Sequence, residues 1–212
     1  DKGSFLTHSA VNIVVKDDLL FELEVADLED IIDLFPKAVT KNIDYIIFGD
    51  FDFLRKKNYN ASYKDGAIYV LNNQEGNADI LDDIVHEIGH SVEDNHQDLV
   101  YGDGALEMEF LKKREILRKE FSKEGIEVPE DVMSNPDYDQ NLDMFFSEKV
   151  GYPRMTAIVQ GIFYSPYAAT SLREYFANGF EAHYYHRDVY LQKVSPVLYD
   201  KISKLEELHN ET

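Results

Sequence analysis

The stretch His86-Glu87-Ile88-Gly89-His90 limits what this chain can fold into more than any other feature. Positions four apart on an α-helix lie only about 40° apart around its axis, so the two imidazoles leave on one side and can share a metal ion. Glu87 stands about 100° round from His86, beside such an ion without binding it. A carboxylate there can take a proton from a metal-bound water and hand it to a leaving amine. The neighbours agree with a helix: Ile80, Ile84, Ile88 and Val92, with Leu81 and Val85, recur at helical spacing and predict one over 78–94 with a buried stripe. Two neutral imidazoles joined by a carboxylate, with a fourth position open to water, form a natural ligand set for Zn2+. One Zn2+ per chain is therefore expected.

Ahead of that helix the pattern reads strand, helix, strand. An apolar run covers 11–16, an amphipathic helix covers 26–41 with Leu28, Ile31, Ile32 and Phe35 at helical spacing, and a second strand covers 43–48. A polar loop rich in Lys and Asn follows, then Asp65-Gly66, a short strand Ala67–Leu71, and a loop marked by Asn72, Asn73 and Gly76. Past Asn95 helices dominate. A charged helix over 105–123 sets Leu106, Phe110, Leu117 and Phe121 on one side and the pairs Glu109 with Lys113 and Glu115 with Lys119 on the other, the pattern of a packed surface helix ended by Gly125. Residues 126–143, with Pro129 and Pro136, read as a loop; a helix over 167–186 carries Leu172, Tyr175, Phe176 and Phe180; a short helix over 196–208 closes the chain. With no repeats and few Gly or Pro, the expectation is one domain over 1–212. Its sheet and metal helix lie in 1–97, a helical and loop insertion in 98–150, and a helical part in 151–212.

Composition narrows the partners. With 44% hydrophobic and 13% aromatic residues the chain reads as globular, while 21 basic against 41 acidic residues leave a net charge of -20. That charge repels phosphate backbones and anionic lipid, so neither nucleic acid nor a membrane is expected as a partner. A protein or peptide substrate with basic sequence is. The absence of cysteine excludes disulfides, thiolate ligands and a Cys nucleophile. The opening Asp1-Lys2-Gly3 has no initiator Met, which reads as a mature or excised segment of something longer, secreted or delivered to the extracellular or host side.

Two candidates compete for the third ligand. His96 extends the motif to His86-Glu87-x-x-His90-x-x-Glu93-x-x-His96, which resembles the metzincin signature with Glu93 where that family has Gly. In a continuing helix His96 points roughly 80° away from His86, so only a sharp break near 93 brings it round. Gly makes such a break at little cost and Glu does not. Met133, in Asp131-Val132-Met133-Ser134, resembles that family's Met-turn.

The other candidate is Glu174, in Tyr167-Ala-Ala-Thr-Ser-Leu-Arg-Glu174-Tyr-Phe-Ala177-Asn178-Gly-Phe180. Here the chain resembles the peptidase domain of anthrax lethal factor and the related secreted Pro-Pro endopeptidases. In that family a helix of the form Glu-aromatic-Phe-Ala-x-x-Phe supplies the third ligand, and a Tyr seven residues before the Glu assists catalysis; Glu174 and Tyr167 stand at those positions. The stretch 86–94 is similar too, with its acidic pair after the second His, and Lys193-x-x-Pro196-x-x-Tyr199-x-x-Ile202 looks like the family's C-terminal segment. The resemblance covers about half the chain and departs between His90 and Glu174, an interval lengthened by the insertion at 98–150. Read without the family, Ser171-x-x-Glu174 also spells a capping box, in which the carboxylate serves backbone N–H groups. A helix starting just after Pro166 would instead leave Glu174 in its second turn, free to face a metal. Glu181, two turns on, is the reserve.

The resemblance implies an α+β fold of the zincin type, with a small mixed sheet and metal helix followed by a mainly helical half. It implies a zinc metalloendopeptidase in which His86, His90 and Glu174 hold the metal, Glu87 is general base and then acid, and Tyr167 donates to the oxyanion. Glu93 and Asn178 are then expected behind the imidazoles as hydrogen-bond partners. Ala67, Ile68, Tyr69 and Val70 are expected on the edge strand that holds an extended peptide by backbone pairing. Two alternatives remain: a metzincin-type peptidase with His96 as ligand, and a zinc-containing binding domain of a toxin that no longer cleaves.

Overall fold

A computed structural model describes residues 3–74 and 77–210, so the loop position Gly76 and the opening Asp1 and Lys2 lie outside the described residues. The architecture is α+β with one mixed five-stranded sheet. Two compact units make up the chain: the part through Asn95 together with the residues from Leu205 onward, and His96–Lys204.

In the first unit β1 (Gly3–Leu6), β2 (Asn12–Val15), β3 (Tyr45–Gly49), β4 (Ala61–Lys64) and β5 (Ala67–Leu71) lie in the order β1-β2-β3-β5-β4. The inner three run parallel, with Ile13 beside Ile46 and Ile46 beside Ile68. Ile13, Ile46, Phe48, Ile68 and Val70, which share one face, are almost completely buried, while Val14, Ile47 and Tyr69 on the other face are half-buried. β1 and β4 close the two edges antiparallel.

The strand Ala67–Leu71 is therefore not an edge, contrary to the expectation from sequence. Asp65 (φ 48°) and Gly66 (φ 84°) both take positive φ, the two-residue turn whose twist matches a hairpin. The chain before them returns as β4, with Lys64 opposite Ala67 and Ala61 opposite Val70, and covers the outer side of β5. That edge of the sheet belongs to Ala61–Lys64, in the stretch expected to be loop.

Helix α1 (Val25–Asp33) and helix α2 (Lys37–Thr40) replace the single helix expected over 26–41. Pro36 divides them, because it lacks an N–H and its ring disfavours helical geometry in the residue before it. After α3 (Asp52–Lys56) comes α4 (Asn77–Asn95), which lies against β4, β5, α1 and α2. Ile80, Ile84, Val85, Ile88 and Val92 are its buried stripe, at 2% exposure or less. At about 1.5–3 kcal/mol for each buried aliphatic side chain, this stripe fixes the rotation of α4 about its axis.

The second unit contains α5 (Gln97–Tyr101), α6 (Ala105–Lys123), α7 (Glu130–Met133), α8 (Gln140–Met144) and a π-helical stretch Phe145–Gly151 that leads into α9 (Tyr152–Val159). A 3-10 turn Tyr167–Ala169, α10 (Leu172–Tyr184) and α11 (Leu191–Val194) follow, and α12 (Pro196–Asn210) begins there. Phe110, Leu117, Phe121, Phe146, Phe176 and Phe180 form its core.

Three expectations change in this unit. The loop expected over 126–143 contains α7 and most of α8. The charged side of α6 is not all solvent-facing: Lys113 is 7% exposed, Arg114 is 0% exposed, and Glu115 pairs with Arg118 at 2.6 Å rather than with Lys119. The helix expected from 167 starts only at Leu172, because Ser171 is fully extended and its Oγ accepts the Glu174 N–H at 3.2 Å. No helix among the described residues is long and apolar enough to cross a membrane.

Candidate metal centre

The buried stripe of α4 decides where its polar groups point. With Ile84, Val85 and Ile88 held inward, His86 and His90 share one side, their ring centroids 4.9 Å apart and their planes at 83°. His90 Nδ1 lies 3.0 Å from Glu93 Oε2, and Glu93 is completely buried. In the tautomer whose Nδ1–H donates to that carboxylate, Nε2 keeps its lone pair for a metal. The helix continues through Glu93 to Asn95, so the turn near 93 that His96 would need as a ligand is absent. His96 follows the helix with φ -135° and ψ 39°, and its carbonyl accepts Val100 N–H at 3.0 Å.

Glu87 is half-buried, and its Oε2 accepts the backbone N–H of Tyr63 at 2.7 Å. Tyr63 is on β4, so this carboxylate is fixed to the sheet edge. Asp83, one turn before His86, has an Oδ2 that is buried with no hydrogen-bond partner among the described residues. Burial pushes its carboxyl up to about 7; Asp82, Glu87 and Asp79 add to the rise and His86 opposes it. An excess of negative charge beside two imidazoles is relieved by a cation. Two imidazoles, one of them with Nδ1 against a buried carboxylate, together with carboxylates held close by, are donors that fit Zn2+ better than Mg2+ or Ca2+, which take oxygen ligands.

In the second unit Tyr167 opens the 3-10 turn and is half-buried. Its carbonyl accepts both the N–H (3.1 Å) and the hydroxyl (2.7 Å) of Thr170. Glu174 is half-buried in the first turn of α10, the capping-box position rather than a second turn. Asn178 is 7% exposed, and its Oδ1 accepts the Ser165 hydroxyl at 3.1 Å. Glu181 is also buried, with Oε1 3.9 Å from His186 Nε2. Met133, 2% exposed, closes α7. The described residues include groups of His, Asp and Glu that could hold a metal ion.

Three residues escaped the sequence reading. Tyr63 sat in an apparent loop, Asp83 was not singled out among the acids of its helix, and Arg114 lay on a helix read as charged surface. The Asp65-Gly66 pair, a known hairpin turn, was the available signal for the first; nothing local marked the others. Compared with protein-family models, with curated proteins and with solved structures, the chain matches none.

Proposed function

We propose that this chain is a zinc-dependent endopeptidase of the zincin type, with His86, His90 and Glu174 as metal ligands. The observation that carries the reading is the pair of imidazoles on one side of an unbroken helix, one oriented by a buried carboxylate, with the Glu87 carboxylate tethered to the sheet edge beside them. Bound Zn2+ supplies a Lewis acid that makes water nucleophilic near neutral pH. Glu87 would take a proton from a water so activated and return it to the leaving amine. Tyr167 would donate a hydrogen bond from its phenolic hydroxyl to the developing oxyanion. The substrate lies extended along β4, whose outward backbone groups are those of Ala61 and Tyr63, the side on which the Tyr63 N–H leaves the ladder to meet Glu87. The net charge of -20 favours basic sequence around the cut.

Digestion of a peptide library, read by mass spectrometry with and without chelator, tests the proposal. Cleavage that stops with chelator and returns with Zn2+ is expected. A library left intact by zinc-loaded protein overturns the reading.

A further inference from the structure

The insertion at 98–150 contributes α6, and α6 carries three charged side chains that reach inward. Glu109 accepts the Tyr175 hydroxyl at 2.7 Å and the N–H groups of Val197 and Leu198 at 2.8 and 3.2 Å. Lys113 Nζ donates to Ile162 O, Val194 O and Ser195 Oγ. Arg114, 0% exposed, donates from Nε to Ala169 O at 2.6 Å and from Nη2 to Thr170 O at 3.0 Å, while Nη1 reaches the carbonyls of Val132, Met133 and Asn135. Phe110 lies 4.7 Å from the guanidinium carbon. A buried guanidinium whose acceptors are backbone carbonyls, with α7 on one side and the 169–170 peptide on the other, is a fixed clamp. Ala169 ends the Tyr167 turn and Thr170 joins it to the Ser171 cap, so whatever holds their carbonyls sets where α10 begins and how its first turn faces.

We infer that Arg114 is a positioning residue for the ligand Glu174, the insertion serving as scaffold for the segment that carries it. The inference rests on the proposed role of Glu174 as third ligand. Zn2+ affinity is read by chelator competition on folded protein, for Arg114→Met, Arg114→Lys, Glu174→Ala, the double variant Arg114→Met/Glu174→Ala, and Phe121→Ala as a control. Phe121 is a buried core residue of the same helix, packed on Phe145 and Phe146. Arg114→Met is expected to lose about 10- to 100-fold in affinity and Arg114→Lys less, since an ammonium can hold one carbonyl of the pair. Phe121→Ala lowers the melting temperature and leaves the affinity alone. In the Glu174→Ala background the loss from Arg114→Met disappears. If Arg114→Met fails to fold, Arg114→Lys carries the test. Wild-type affinity in the folded Arg114 variant, an equal loss in Phe121→Ala, or an undiminished loss in the double variant overturns the inference. Full affinity in Glu174→Ala is a separate result, which removes the third-ligand reading and this inference with it.

Discussion

The Glu87 carboxylate accepts the Tyr63 backbone N–H at 2.7 Å, so the candidate base on α4 is oriented by the main chain of the sheet edge and not by another side chain. Because that N–H is directed at Glu87 and away from β5, Tyr63→Pro removes it while leaving the β4–β5 ladder, and an edge strand tolerates Pro. Turnover is expected to fall about 10- to 100-fold with zinc content unchanged, the scale for losing a hydrogen bond of about 1.5–3 kcal/mol to a charged group. Unchanged kcat in a folded variant shows that the bond is incidental.

Removal of the carboxylate separates base from ligand. Wild-type protein purified without chelator should contain one Zn2+ per chain. Glu87→Ala should abolish turnover and keep zinc near one, because the group moves a proton and does not bind metal. Elemental analysis beside a peptidase assay checks both. A variant that keeps most of its activity rules out the general-base role.

The α4 helix was legible in the sequence because one periodicity served two ends: the aliphatic stripe that buries it also sets both imidazoles on the other side. β2, β3 and β5 were legible because they are apolar along most of their length, with Ile13, Ile46, Phe48, Ile68 and Val70 buried on one face and Val14, Ile47 and Tyr69 half-buried on the other. β4 was not, since Ala61-Ser62-Tyr63-Lys64 is short and half polar, and its place at the edge depends on a turn whose conformation lies in two residues. The buried charges of α6 could not be read at all. Lys113 and Arg114 are satisfied by carbonyls of residues 18 to 81 positions away, and a carbonyl has no side chain to announce it. The start of α10 was written in Ser171-x-x-Glu174, and the cap prevailed over the Pro166 start.

Tyr167→Phe deletes one donor and no bulk. Its role in the proposed reaction is to stabilise the oxyanion, so kcat should drop by roughly 10²- to 10³-fold with little change in KM. Steady-state kinetics on any cleaved peptide suffices, and an unaltered kcat removes the assignment.

The two candidate third ligands predict opposite outcomes. With α4 unbroken past Glu93, Glu174→Ala should weaken Zn2+ binding strongly and His96→Ala should leave it nearly intact. Chelator competition on both variants decides. Loss of zinc in His96→Ala alone would make the chain a metzincin variant and leave Tyr167 without a role.

Asp83 gives the protein a pH dependence of stability whose sign is fixed. Its folded-state pKa, near 7, lies above the ordinary 3.8, so between those values the folded chain holds a proton that the unfolded chain has released. Stability of the metal-free protein therefore declines as pH rises through that window, and above 7 the full cost of ionising a carboxyl whose Oδ2 is buried without a hydrogen-bond partner persists. Asp83→Asn removes the charge, and at pH 7.5 the metal-free variant should be more stable than wild type by about 2–4 kcal/mol, an advantage that fades toward pH 4. Denaturant titrations of both proteins across pH 4 to about 8 measure the difference directly. A constant difference across that range shows that the carboxyl titrates normally. With Zn2+ bound the advantage should shrink, because a nearby cation favours the ionised carboxylate; an advantage just as large in the zinc-loaded protein would place the metal away from the His86 side of α4.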